Sequence, residues 1–381
     1  MSVGFEQPFL LLDDLKIESQ QFLTEQLVTY IGNKRALLDP IENVAKLVER
    51  RLGRPLRVLD AFSGSGVVSR MMKSHASCVV ANDLEPYAAV LSRCYLSNRS
   101  QVPWDRLRET VNEMNRVVDA SASTDGFIER LYAPADDNRI RSGERAFFTR
   151  DNARRLDHYA QLILSGDDDL RPFLMGPLLS AASVHANTAG VFKGFYKDNV
   201  TGVGRFGGSG ENALSRILGT IRLHLPVMSE FESEAEIHQR DANDLLDEID
   251  AVDLAYFDPP YNQHPYGSNY FMLNLLVNYE EPMNISPVSG IPVDWRRSNY
   301  NVKSKSALLM LDLVARCRAR FLLVSFNDEG FIPPGRMRAI LESQGTVTEY
   351  RTTYNAFRGS RNLQGRSLHV TEHLYLVEKG V

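Results

Sequence analysis

Two periods alternate along the chain. Over 35–52, Leu37, Leu38, Ile41, Val44, Ala45, Leu47 and Val48 recur at helical spacing and predict an amphipathic helix. A short apolar strand, LRVLDAF (56–62), runs into a Ser- and Gly-rich turn and then a helix start, VVSRMMK. CVVAND (78–83) reads as a second strand, and EPYAAVLSRCYLSN (85–98) as a second helix with Pro86 in its first turn. This strand-helix-strand-helix order predicts parallel strands joined by right-handed crossovers. From about 100 to 235 the pattern becomes mostly helical, broken by Gly-rich stretches such as KDNVTGVGRFGGSGEN (197–212). Strand patterns return at AEIHQRDANDLL (235–246) and VDLAYFD (252–258), then at RFLLVSFND (320–328), GTVTEYRTTYN (345–355) and EHLYLVEK (372–379). The last two have no clear helix between them and are expected to pair antiparallel. A Pro-rich segment, 262–304, reads as an irregular excursion. The expectation is a doubly wound, mostly parallel α/β sheet, Rossmann-like, built from 1–100 and 235–381 and interrupted by a helical insertion at 101–234.

Composition narrows the class. The 381 residues are 43% hydrophobic and 24% charged, an ordinary globular balance. No apolar run is long enough to span a bilayer, so no membrane association is expected. The N-terminus lacks the basic start of a secretory signal, and Cys78, Cys94 and Cys317 are scattered. These features fit a reducing cytoplasm, with no metal cluster among the cysteines. A net charge of −5 argues against a protein that coats nucleic acid indiscriminately, although a local basic groove is compatible with it. Two runs are locally basic: 294–320, with Arg296 and Arg297 among seven basic residues against two acidic ones, and 188–225, with Lys193, Lys197 and Arg205 among five against two. Each is a candidate DNA-phosphate surface or simply a solvated face.

Candidate chemistry sits at strand ends. VLDAFSGSGVVS (58–69) is a strand, a carboxylate and a turn in which Gly64 and Gly66 let backbone approach a ligand. A dinucleotide fingerprint wants a third Gly where Ser69 stands, and Asp60 would repel a pyrophosphate. A cationic amino-acid group would be welcome there, which points to S-adenosylmethionine (AdoMet) rather than NAD. Asp83, ending the second strand, is placed to accept ribose hydroxyls. Asp241 is either an acceptor for the adenine amine of the cofactor or a helix N-cap. In DLAYFDPPY (253–261), prolines stop the strand and leave Asp258 and Tyr261 on a stiff corner at its carboxyl end, where ligands bind in open α/β sheets.

Together, DPPY at 258–261, DAFSGSG at 60–66, ND at 82–83 and YIGNKR at 30–35 resemble the adenine-specific DNA methyltransferases of the D12 class. In that class the target-recognition region lies between the cofactor motif and DPPY, as the helical insertion does here. The resemblance implies transfer of a methyl group from AdoMet to the N6 amine of adenine in double-stranded DNA, by base flipping and direct transfer. It also implies a setting such as restriction and modification, with a cognate restriction endonuclease as an expected partner. Asp258 and the carbonyl of Pro259 would accept the N–H bonds of the target amine. Pro259 and Pro260 would fix both acceptors, and Tyr261 would stack on the flipped base. Tyr30 and Lys34 would belong to the element that closes over the methionine end of AdoMet, with Phe62 beside the cofactor and Asp258 at its reactive end. The chain departs from the family's usual Trp-x-Gly-Gly-Lys in carrying Tyr30 and Asn33. HANTAGVFKGFYK (185–197) reads as a buried helix plus loop or a DNA surface. Arg358, Arg361 and Arg366 in YNAFRGSRNLQGR (354–366) read as phosphate contacts or an ordinary solvated loop. An RNA adenine methylase, a cytosine-amine methylase, a silent DNA-binding subunit and a dinucleotide oxidoreductase are the competing readings.

Overall fold

The computed structural model describes residues 17–25, 28–32, 34–121, 125–355 and 369–380. Arg358, Arg361 and Arg366 lie outside the described residues.

Seven strands form one sheet: β1 (Leu56–Asp60), β2 (Ala76–Asn82), β3 (Glu234–His238), β4 (Val252–Phe257), β5 (Ala319–Asn327), β6 (Gly345–Asn355) and β7 (His369–Lys379), in the order β3-β2-β1-β4-β5-β7-β6. The first five are mutually parallel, while β7 runs antiparallel to both β5 and β6. The expected antiparallel pair is present. The additional finding is that β7 inserts between β5 and β6, which places its early residues against the carboxyl end of β5.

The central strands are apolar on both faces because helices cover both, as a parallel sheet requires. Neighbouring residues of one strand point opposite ways, so Val58, Leu254 and Leu323 meet the helices Leu38–Leu52 and Val67–Met72, with Ile41, Val44, Met71 and Met72 buried there. Leu59, Ala255 and Leu322 instead meet Leu245, Met310, Leu313 and Met337 on the other side. The Leu38–Leu52 helix ends at Gly53, which adopts φ +66° as a C-cap.

Helices Trp104–Ala120, Phe127–Tyr132, Arg150–Leu164 and Arg171–His185 build a separate apolar cluster. The Pro86–Leu96 helix contributes Tyr87, Leu91, Cys94 and Tyr95 to it. Tyr270–Leu276, from the segment after DPPY, joins the same cluster. The excursion at 262–304 is therefore less irregular than its prolines suggest. It opens with the helices Tyr266–Asn269 and Phe271–Asn278, whose apolar run FMLNLLV is buried among the insertion helices. Pro282, Pro287 and Pro292 come after them.

Where Pro86–Leu96 crosses Arg171–His185, a Cβ at Gly176 would stand 2.8 Å from Cys94 Cβ and Sγ. The two helices touch there without a side chain between them. Gly176→Val should cost about 1–3 kcal/mol from overpacking, read as a lower urea midpoint with an unchanged slope. An unchanged midpoint would show that this crossing does not set the docking of the helical cluster.

Candidate active site at the carboxyl ends of β1 and β4

Strand order reverses between β1 and β4, so a crevice opens at their carboxyl ends. Asp60 closes β1 opposite Tyr256 of β4. Two residues beyond Tyr256, the chain turns into Asp258-Pro259-Pro260-Tyr261. Tyr261 is fixed from behind. Its ring meets Phe326 of β5 edge-on at 6.0 Å, and its carbonyl accepts the Phe331 N–H at 2.8 Å.

The corner is held electrostatically by Lys34. Its Nζ lies 2.9 Å from Asp258 Oδ1 and 3.0 Å from Glu372 Oε1 of β7, with only 5% of the lysine side chain exposed. Ser325 Oγ of β5 donates to the same Glu372 oxygen at 2.6 Å. Burial works against the Lys34 ammonium, but Asp258 and Glu372 more than offset it, so its pKa stands well above the ordinary lysine value. Asp258 is pushed up to about 6, chiefly by desolvation; Lys34 pulls it down and Glu372 pushes it up. Lys34 engages Asp258 through Oδ1, Oδ2 takes no hydrogen bond from the described residues, and Asp258 lines the cleft. The expectation set Lys34 over the methionine end of the cofactor; here two carboxylates hold its ammonium beside the DPPY corner.

Tyr30 and the Gly-rich turn come together directly. A Cβ on Gly64 would stand 2.9 Å from the Tyr30 ring, and Gly64 itself has φ +51°. Its lack of a side chain thus admits Tyr30, whereas the sequence suggested approach to a ligand. Gly66, at φ +78° with open space around its Cβ position, serves backbone conformation at the N-cap of Val67–Met72. Tyr30 also stacks on Tyr266 at 5.0 Å and on Tyr270 at 4.7 Å, and its hydroxyl lies 3.1 Å from that of Tyr87. Asn33 of this element lies outside the described residues.

A cleft beside the corner is lined by Tyr30, Phe62, Asp83, Glu85, Asp241, Asp258, Pro260, Tyr266, Ser298, Tyr300 and Asn301. Asp83 braces the turn: Gly64 N–H donates to Oδ2 at 2.8 Å and Glu85 N–H to Oδ1 at 2.9 Å. Asp241 caps the helix Ala242–Leu245 through the Asn243 N–H, as one of its two alternatives had it, and it also lines the cleft. Phe62 meets Tyr300 edge-on at 5.3 Å, and Tyr300 is fixed by its hydroxyl donating to Asn243 at 2.8 Å. Asp60 accepts from Ser69 at 2.6 Å through one oxygen, while its other buried oxygen has no partner among the described residues. Burial, with Asp258 and Asp83 nearby, pushes Asp60 up to about 7. A buried carboxylate with an unmet acceptor, beside an aromatic and acidic cleft, suits a cationic amino acid joined to a nucleoside. The residues present therefore fit AdoMet.

Several residues at this site carried no sequence signal. Glu85 is 3% exposed, accepts from Asn274 at 2.7 Å and is raised to about 7, mainly by burial. Its position two residues past Asp83 was the available clue. Tyr266 follows the corner by five residues, whereas Tyr300 and Glu372 arrive from distant segments with no local pattern to mark them. The basic candidates separate. Lys193 is exposed, and after burial its charge helps lower the pKa of His264, three residues past Tyr261. Arg205 pairs with Asp198 and Glu211 on the surface, and Lys197 lies over Phe195. Arg296 donates to the Leu84 carbonyl and Arg297 to the Asn301 carbonyl, beside the cleft.

Comparison with known proteins agrees with this geometry. The chain is 28% identical over 362 residues to the type II methyltransferase M.NlaIII of Neisseria lactamica, covering 92% of this chain and 99% of that one. It is 26% identical over 357 residues to the type II methyltransferase M.CviAII of Paramecium bursaria Chlorella virus 1, at 92% and 98% coverage. M.FokI of Planomicrobium okeanokoites matches at 24% over 367 residues, and there the chain spans about half of the longer protein, 53%. The family model for D12 class N6 adenine-specific DNA methyltransferases matches residues 30–287, more than half of the chain and inclusive of the Tyr30–Lys34 element, the Gly-rich turn and DPPY. The chain belongs to the D12 class of N6 adenine-specific DNA methyltransferases.

Proposed function

We propose that this protein methylates the N6 amine of adenine within a specific sequence of duplex DNA, using AdoMet, as the modification half of a restriction-modification system. The observation that carries the reading is the Asp258 carboxylate, clamped through Oδ1 by Lys34 at the edge of the cleft that it lines. The adenine amine is a poor nucleophile because its lone pair is conjugated into the ring. Asp258 Oδ2 and the Pro259 carbonyl each accept one amine N–H and favour a pyramidal nitrogen. Both acceptors are rigid before the base arrives, the positioning effect of a preorganised site. Tyr261, backed by Phe326, offers a face on which the base stacks. A base inside a duplex cannot reach this corner, so it is flipped out, and stacking offsets an unstacking cost on the order of a few kcal/mol.

AdoMet, when bound, supplies the electrophilic sulfonium methyl. Phe62 and Tyr300 would flank its nucleoside, with Asp83 and Asp241 as polar acceptors and Asp60 toward the amino-acid end. Residues 101–234 would select the DNA sequence. The type II methyltransferase relatives support the restriction-modification setting, in which a cognate endonuclease would be the partner.

The direct test is long-read sequencing of DNA from cells expressing the protein, scored for modified bases. Methylated adenine at one short motif is expected; modified cytosine, or no modified base, would overturn the reading. Asp258→Ala should lower kcat about 100-fold or more, the effect of removing one strong preorganised acceptor worth about 3 kcal/mol, with AdoMet and DNA binding largely kept. Near-normal turnover of that variant would remove Asp258 from the chemistry. By calorimetry, AdoMet should bind and NAD should not, with Phe62→Ala weakening AdoMet. Lys193→Ala should weaken DNA binding at all sequences and flatten the log-affinity salt slope by about 0.9. An unchanged slope would place the phosphate contacts elsewhere.

A further inference from the structure

We propose that Glu372, on the antiparallel strand β7, is a positioning residue for methyl transfer: it shares the Lys34 ammonium with Asp258 and so keeps Asp258 a strong acceptor for the target amine. This rests on the reading of Asp258 given above. Three observations carry the assignment. Lys34 Nζ stands between the two carboxylates at nearly equal distances, 2.9 and 3.0 Å. Glu372 is 2% exposed and has a dedicated donor in Ser325, so its place is built by the fold. The antiparallel insertion of β7 sets Glu372 opposite Asn327 at the carboxyl end of β5.

The physical consequence follows from charge. A lysine paired with one buried carboxylate would neutralise it and draw its electron density toward the ammonium. Divided between two, the same ammonium leaves these three side chains with a net charge of one negative unit beside an amine that becomes positive as it takes the methyl group. Opposite charge held in place where positive charge develops lowers the barrier. Removal of Glu372 turns the cluster into a neutral pair.

Among the described residues, the titratable groups around this cluster include Asp60 of β1, Tyr256 of β4, Tyr261 of the corner and Tyr266 of the following helix. His373, next along β7, is paired instead with Glu349 at 2.8 Å. Glu372 raises Asp258 and Lys34 lowers it. With Glu372 uncharged, Lys34 acts on Asp258 alone, so the Asp258 midpoint should move down from about 6. Asp258 must be ionised to accept the amine, so activity rises with pH through that midpoint, and the acid limb moves to lower pH with it.

The experiment compares the full-length wild type with Glu372→Gln. The Asp258 midpoint is read by carboxyl-carbon NMR on the protein without AdoMet or DNA, and kcat and KM are followed against pH on duplex DNA carrying the methylated motif. The proposal expects the midpoint and the acid limb to fall together by about one unit, a tenfold change in the ionisation constant. Above pH 7, kcat should fall about tenfold with KM little changed. An unmoved midpoint, or a kcat loss with an unmoved limb, overturns it. Glu372→Gln leaves Lys34 paired with Asp258, so the remaining charges balance. If it folds poorly, Glu372→Met carries the same test, and failure of both to fold gives Glu372 a structural role and overturns the proposal. Asp258→Ala is measured alongside. If that variant stays active, the reading of the corner has failed; if it is inactive while Glu372→Gln matches wild type, only the role of Glu372 has.

Discussion

One buried ammonium joins the parts of this site. Lys34 belongs to the segment that precedes the first long helix, Asp258 to the corner after β4, and Glu372 to the last strand. No two of these are near in sequence. Their ion pairs bring the amino-terminal element, the DPPY corner and the antiparallel edge of the sheet to one point. Removing the ammonium from such a buried cluster costs about 3–5 kcal/mol, because it leaves carboxylate charge without compensation. The same attachment brings Tyr30 onto Gly64 and into its stack with Tyr266 and Tyr270, so the cofactor turn and the segment after DPPY are ordered against a common aromatic wall.

The sheet and the corner were legible in the sequence because both depend on local rules. Apolar runs ending in Asp60, Asp83 and Asp258 marked the parallel strands, and prolines marked the stop after β4. Partnership was harder to read. Gly64 was expected to make room for a ligand, yet the atoms nearest its missing side chain belong to Tyr30, 34 residues earlier. Lys34 was recognised as a site residue, but its carboxylate partners come from β4 and β7, and a periodic pattern reveals faces rather than contacts. Glu372 looked like any polar residue at a strand start. The Phe271–Asn278 helix was hidden by the prolines after it.

The helical insertion is fastened to the sheet from both sides of the cleft. The Pro86–Leu96 helix, which follows Asp83 and Glu85, and the Phe271–Asn278 helix, which follows DPPY, are both buried in the insertion's apolar cluster. Asn274 ties the two through Glu85 Oε2 at 2.7 Å and the Tyr87 N–H at 3.2 Å. A shift of the insertion on meeting DNA would therefore reach the cofactor cleft and the corner through two helices packed against each other. Net charge is negative overall, so attraction to DNA has to come from local basic groups.

The account rests on the Lys34–Asp258 contact as a real energetic link, and a double-mutant cycle measures that link directly. Lys34→Met, Asp258→Asn and the double variant would be unfolded in urea beside the wild type. Lys34→Met alone leaves Asp258 and Glu372 facing each other without a cation, and Asp258→Asn should relieve that repulsion. The account predicts that the summed losses of the single variants exceed the loss of the double by more than about 1 kcal/mol, the range for residues in one charged network. Losses that add to within about 0.5 kcal/mol would show the two residues to be energetically independent and would contradict it.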